Sequence, residues 1–232
     1  AIDFSRSIFY TTEVNIGGVG NISLGTQQLR SVSSAYFAKT AASISPDAND
    51  NVVIGSTSSM VSMTSGIAIG SNAVTNNTSG YSLTAVGISA LRANTTGFNN
   101  TAMGNFASSS NTSGDFNVGV GNIALSLNTT GDSNTAVGYS ALATNTIENN
   151  NTAIGFGAGN PAYVGGAYVT GNNNTYIGAY TQNKLTTSNS TAIGYGASIS
   201  ASNTIQLGNT SVTSVQTSGV VSATGVQTTG TV

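Results

Sequence analysis

Between residues 51 and 208 the apolar residues arrive in short clusters, one cluster per 17 residues, with polar tracts between them. The clearest copy is Asn134-Thr-Ala-Val-Gly-Tyr-Ser-Ala-Leu142, and the glycine closing its core recurs at Gly70, Gly87, Gly104, Gly121, Gly138 and Gly155. Less regular copies end at Gly55, Gly178, Gly194 and Gly208. A fixed period of this size predicts a solenoid, in which each unit buries its apolar face only against its neighbours. Immediately before the glycine stands a large apolar row: Ile69, Val86, Met103, Val120, Val137, Ile154, Ile177, Ile193 and Leu207. One residue earlier lies a small row, Ala68, Ala85, Ala102, Gly119, Ala136, Ala153 and Ala192. Successive strand side chains point to opposite faces, so the two rows line different faces. The alternation leaves open which row faces the interior.

Three residues after the glycine another alanine follows, often with Val74, Leu91, Leu125 or Leu142 behind it. Asn-Thr pairs and a turn glycine then close the unit, as at Asn94-Thr95 and Gly97. The expected fold is all-β, a parallel stack of about ten flat coils, each of two short strands. A three-sided coil is excluded, because the nine residues after Leu142 offer almost no apolar side chain. Asn100, Asn117, Asn134, Asn151 and Asn174 are expected to stack as amide ladders that satisfy turn backbone groups. Such a thin coil encloses little volume, so a second surface should be buried against identical neighbours, with a homotrimer as the expected solution.

The flanks differ. Residues 1–50 hold most of the charge, and Ile8 to Ile16 reads as a strand broken by Gly17-Gly18. Asn21 to Gly25 resembles a stray first copy of the repeat core, and residues 27–42 fit a short helix or an extended segment. Turn chemistry at Pro46-Asp47 and Asn49-Asp50 marks a boundary, giving an N-terminal docking segment (1–50) and a repeat domain (51–208). The period stretches to 23 residues between Gly155 and Gly178, and the insertion at 156–173 is expected as a surface loop. Residues 209–232 follow a shorter strand-turn rhythm and suggest a β stem or linker.

Composition narrows the function. Only 5% of residues are charged and the net charge is −2, so no basic footprint for nucleic acid exists. No apolar run approaches the ~20 residues that span a bilayer, so no membrane insertion is expected. The absence of Cys and His removes the thiolate ligands, the commonest metal ligand and the commonest general base.

The repeat Asn-Thr-Ala-Val/Ile-Gly-Tyr-x-Ala-Leu, with Asn-Thr-Thr-Gly between copies, resembles the head repeat of trimeric autotransporter adhesins. It is more similar still to repeats of bacteriophage tail fibres and spikes, and the segment from Ser202 to Val215 is similar to the one that ends such repeats. The resemblance covers roughly residues 51–215 and implies a left-handed parallel β-roll, trimerised and acting in attachment. The 17-residue period and the absence of a coiled-coil stalk or membrane barrel favour the virion fibre over the adhesin head.

The expectation is therefore a non-catalytic structural protein on the virion, with no cofactor or metal. Its partners would be two further copies, other virion proteins through residues 1–50, and a host surface glycan or protein receptor. The alternatives are an adhesin head on the bacterial surface and a polysaccharide-depolymerising spike using Asp115, Asp132 and Glu148. Those carboxylates also admit a calcium reading, although Asp after Gly is ordinary turn chemistry. Tyr163, Tyr168, Tyr176 and Tyr180 cluster around the insertion and are the candidates for glycan or receptor contact. The large apolar row from Ile69 to Leu207 is assigned to core or trimer packing.

Overall fold

The computed structural model describes residues 8–16, 20–29, 51–55, 65–164, 171–183, 186–212 and 214. The chain divides into two compact units between Ser45 and Pro46. In the first, β1 (Ile8–Ile16) pairs antiparallel with β2 (Gly20–Leu29), with a register shift between Thr11 and Glu13. Asn21 to Gly25, which carries the repeat-core pattern, thus lies in this hairpin rather than in a parallel stack. Residues 27–29 are extended within β2, and the rest of the helix-or-strand segment lies outside the described residues.

The second unit is a β-solenoid. Its strands are β3 (Val52–Ile54), β4 (Ile67–Ile69), β5 (Thr84–Val86), β6 (Thr101–Met103), β7 (Val118–Val120), β8 (Thr135–Val137) and β9 (Thr152–Ile154). They continue as β10 (Thr175–Ile177), β11 (Gln182–Asn183), β12 (Thr191–Ile193), β13 (Ser198–Ile199) and β14 (Ile205–Leu207). All but β11 and β13 form one ten-stranded sheet, each strand lying parallel to that of the next coil. The register never slips: Thr84 faces Thr101, Ala85 faces Ala102 and Val86 faces Met103, one repeat apart.

The small row faces inward. Ala68, Ala85, Ala102, Ala136, Ala153 and Ala192 are fully buried against the second alanine row and Val74, Leu91, Leu125 and Leu142. The thin coil has little room, and a Val or Leu four residues after the corner glycine fills most levels. The large row consequently points out of the coil: Met103, Val137, Ile154, Ile177, Ile193 and Leu207 are exposed, while Ile69, Val86 and Val120 are half-buried.

The second side of the coil corrects the two-strand expectation. Among the described residues only β11 and β13 pair there; in the regular units the chain instead alternates handedness, with φ of 56° at Ser89, 49° at Leu91, 52° at Ile123 and 52° at Leu125. Left-handed backbone at a branched or bulky residue costs on the order of 1–3 kcal/mol. Inter-coil hydrogen bonds offset it, such as Ser89 N to Ser71 O at 2.9 Å and Leu91 N to Ala107 O at 3.1 Å. The conformation also buries each Leu fully.

At the sheet corner, Gly121 adopts φ 135°, and a Cβ there would run into the carbonyl of Gly138 in the next coil. That close approach of backbones fixes glycine at every period.

Candidate functional site

Two buried amide columns position everything else. Asn117 N donates to Asn100 Oδ1 at 2.8 Å, Asn134 N to Asn117 Oδ1 at 2.9 Å, and Asn151 N to Asn134 Oδ1 at 2.9 Å. The same side chains donate to turn carbonyls, Asn117 Nδ2 to Gly131 O at 2.7 Å among them. The second column runs amide to amide, Asn94 to Asn77, Asn111 to Asn94, Asn128 to Asn111 and Asn145 to Asn128, each at 2.9 Å. Buried amides left unpaired would be costly, so these ladders hold each turn at one height.

The candidate carboxylates belong to this scaffold. Asp115 Oδ1 accepts from Phe98 N at 2.9 Å, and Asp132 Oδ1 accepts from Asp115 N at 2.8 Å. The column continues through Asn149 and Asn172, whose side-chain oxygens accept from Asp132 N and Asn149 N. Burial raises the Asp115 carboxyl above its ordinary range; its hydrogen bond from Phe98 N opposes the shift, and the Asp132 charge adds to it.

Glu148 ends another column. Thr78, Thr95, Thr112 and Thr129 each donate their backbone N–H to the threonine carbonyl of the next coil. At Thr146 the acceptor is a side chain instead: Glu148 Oε2 accepts from Thr146 N at 2.9 Å and Ile147 N at 3.1 Å. All three carboxylates thus serve as backbone acceptors. No cluster of three or more His, Cys, Asp or Glu suited to a metal occurs among the described residues.

The aromatic residues form two ladders at opposite corners of the sheet. Before the strands, Tyr81 and Phe98 stack at 4.9 Å and 2° between planes, and Phe116 meets Phe98 edge-on at 5.2 Å. After the glycines, Tyr139 and Phe156 stack at 4.9 Å, Tyr180 tilts onto Phe156 at 5.3 Å, and Tyr195 meets Tyr180 edge-on at 5.6 Å. Within each stacked pair one face of each ring is turned toward its neighbour.

Of the four candidate tyrosines, Tyr180 belongs to this second ladder. Tyr176 is a correction: it stands in the inward row, aligned with Ala153 and Ala192, and its ring is fully buried, closed off from any receptor. The repeat held the signal, because Thr175-Tyr-Ile-Gly178 aligns with Thr152-Ala-Ile-Gly155. Tyr168 and the side chain of Tyr163 lie outside the described residues; the Tyr163 backbone belongs to a 3-10 turn, Pro161–Val164.

The outward sheet face is the remaining surface feature that the strands build. It carries two columns, one mostly threonine (Thr84, Thr101, Thr135, Thr152, Thr175, Thr191) and one of Val, Ile, Met and Leu, and no charged residue. No helix among the described residues is long and apolar enough to cross a membrane. Set against protein-family models the chain finds no match, and set against curated proteins it finds none either.

Proposed function

We propose that this chain is a non-catalytic structural module of a virion fibre or spike, assembled as a homotrimer of left-handed β-rolls and acting in attachment to the host cell surface. One observation supports assembly above the rest: an all-parallel sheet whose outer face is uncharged and carries an exposed row of large apolar side chains. Parallel sheets occur almost only with both faces covered. One face here is covered by the coil itself, and copies of the same chain are the natural cover for the other. The sequence resemblance supports the virion setting, with residues 1–50 docking to other virion proteins and the repeats presented to a surface glycan or protein receptor.

The attachment reading is tested by adsorbing the labelled chain to a panel of bacterial strains. It predicts saturable binding to susceptible cells with surface polysaccharide left intact. Trimeric chain that adsorbs to no strain, or that releases oligosaccharide, would remove it.

A further inference from the structure

Three successive levels of the stack carry apolar side chains at both corners of the sheet. Tyr81 precedes β5 and Ile88 follows it; Phe98 and Phe106 flank β6; Phe116 and Ile123 flank β7. In the single chain Tyr81 is 44% exposed, Ile88 51%, Phe106 40% and Phe116 53%, while Phe98 and Ile123 are half-buried. Between the corners run the outward Val86, Met103 and Val120. Farther along, the corners no longer match. Tyr139, Phe156 and Tyr195 share their levels with Asp132-Ser133, Asn149-Asn150 and Ser188-Asn189 at the opposite corner.

A ring of identical parallel copies sets the leading corner of one sheet against the trailing corner of the next. Rotation about an axis along the stack preserves height, so equal levels meet. An unrelated partner docking at one corner gives no reason for the other corner to be apolar at the same three levels. A sugar is a poor occupant as well, since Tyr81 and Phe98 turn ring faces toward each other.

We infer that the coils of β5, β6 and β7 form the lateral seam between copies. In it Tyr81 meets Ile88 of the neighbouring copy, Phe98 meets Phe106, and Phe116 meets Ile123. The inference rests on the homotrimer reading and adds which residues close the ring. The later levels, aromatic at one corner and carboxylate, amide or hydroxyl at the other, make a more polar continuation of the same seam.

Because the chain contains no cysteine, a Phe116→Cys/Ile123→Cys variant presents only two thiols per chain. Within one chain a strand and its flanks separate them, on the order of 15 Å, so a short bismaleimide links only between copies. The expected result is a covalent three-chain species on a denaturing gel. Either single variant should stay unlinked, and Phe116→Cys/Ile88→Cys, two levels apart at roughly 10 Å, should link far less. Tyr81→Cys/Ile88→Cys repeats the test at another level should the first variant not fold. Trimeric chain that does not link, or that links equally in the mismatched pair, overturns the seam and leaves the homotrimer standing. A covalent dimer overturns threefold closure, and monomeric chain overturns both.

Discussion

Gly159 leaves open the space that the Tyr176 ring fills: a Cβ on Gly159 would lie 2.9 Å from Tyr176 Cδ2 and 2.7 Å from Leu142 Cδ2. Regular coils place Leu four residues after the corner glycine and Ala in the strand of the next coil, whereas here Gly and Tyr exchange those sizes. Tyr176→Ala should cost about 3–5 kcal/mol as a cavity. Gly159→Leu should cost about 1–3 kcal/mol from overpacking, with added strain at φ 66°. Denaturant titration of the double variant should show partial rescue, because Leu refills the space; strictly additive losses would refute the exchange.

The Tyr176 hydroxyl is buried without a hydrogen-bond partner. Tyr176→Phe should therefore be neutral or stabilising by about 1 kcal/mol. Burial, with the Glu148 charge adding, pushes the phenol far above its ordinary value of 10.0. The folded state then holds the proton more tightly than the unfolded one, so stability is full below pH 10 and falls above it. Thermal melts at alkaline pH should show a smaller loss in Tyr176→Phe than in the parent, and equal losses would contradict the burial.

Asn117 serves one donor and one acceptor at once, its Oδ1 accepting from Asn134 N and its Nδ2 donating to Gly131 O. Asn117→Ala orphans Asn134 N and leaves Gly131 O only its bond from Asn128 Nδ2 at 3.0 Å, and should cost on the order of 2 kcal/mol. Amide exchange should then speed up at Asn134 and its neighbours before it does at β12. A loss below about 0.5 kcal/mol, ordinary for a surface change, would show that the ladder does not hold the turns.

Asp115 stacks on Asp132, and partial burial, with the Asp132 charge adding, raises its carboxyl above its ordinary value. A raised folded value means that the folded chain holds the proton better, so stability declines slightly as pH rises through the acid range. Asp115→Asn keeps the acceptor for Phe98 N and removes the charge. Melts should show a small gain at pH 7 that vanishes at pH 3; a gain of equal size at both would point to another cause.

Much of this was legible from the repeat. The 17-residue period gave the parallel stack, and the Asn columns anticipated the ladders. The direction of the rows was not legible, because Thr-Ala-Val alternation reads identically from either face; coil thickness decides it by admitting Ala alone. The left-handed second side was hidden for a different reason. Leu and Ile disfavour positive φ, so nothing local announces Leu91 or Ile123 there, and only the inter-coil hydrogen bonds explain it. The roles of Asp115, Asp132 and Glu148 as backbone acceptors likewise depend on which backbone N–H groups the coiled fold brings beside them.

If copies of this chain bury the outward Val/Ile row, light scattering on the purified protein should give a mass of three 23.1 kDa chains, with Val137→Glu/Ile154→Glu shifting the mass to one chain while the coil stays folded. A parent chain that is folded and stable at the mass of a single copy would contradict it.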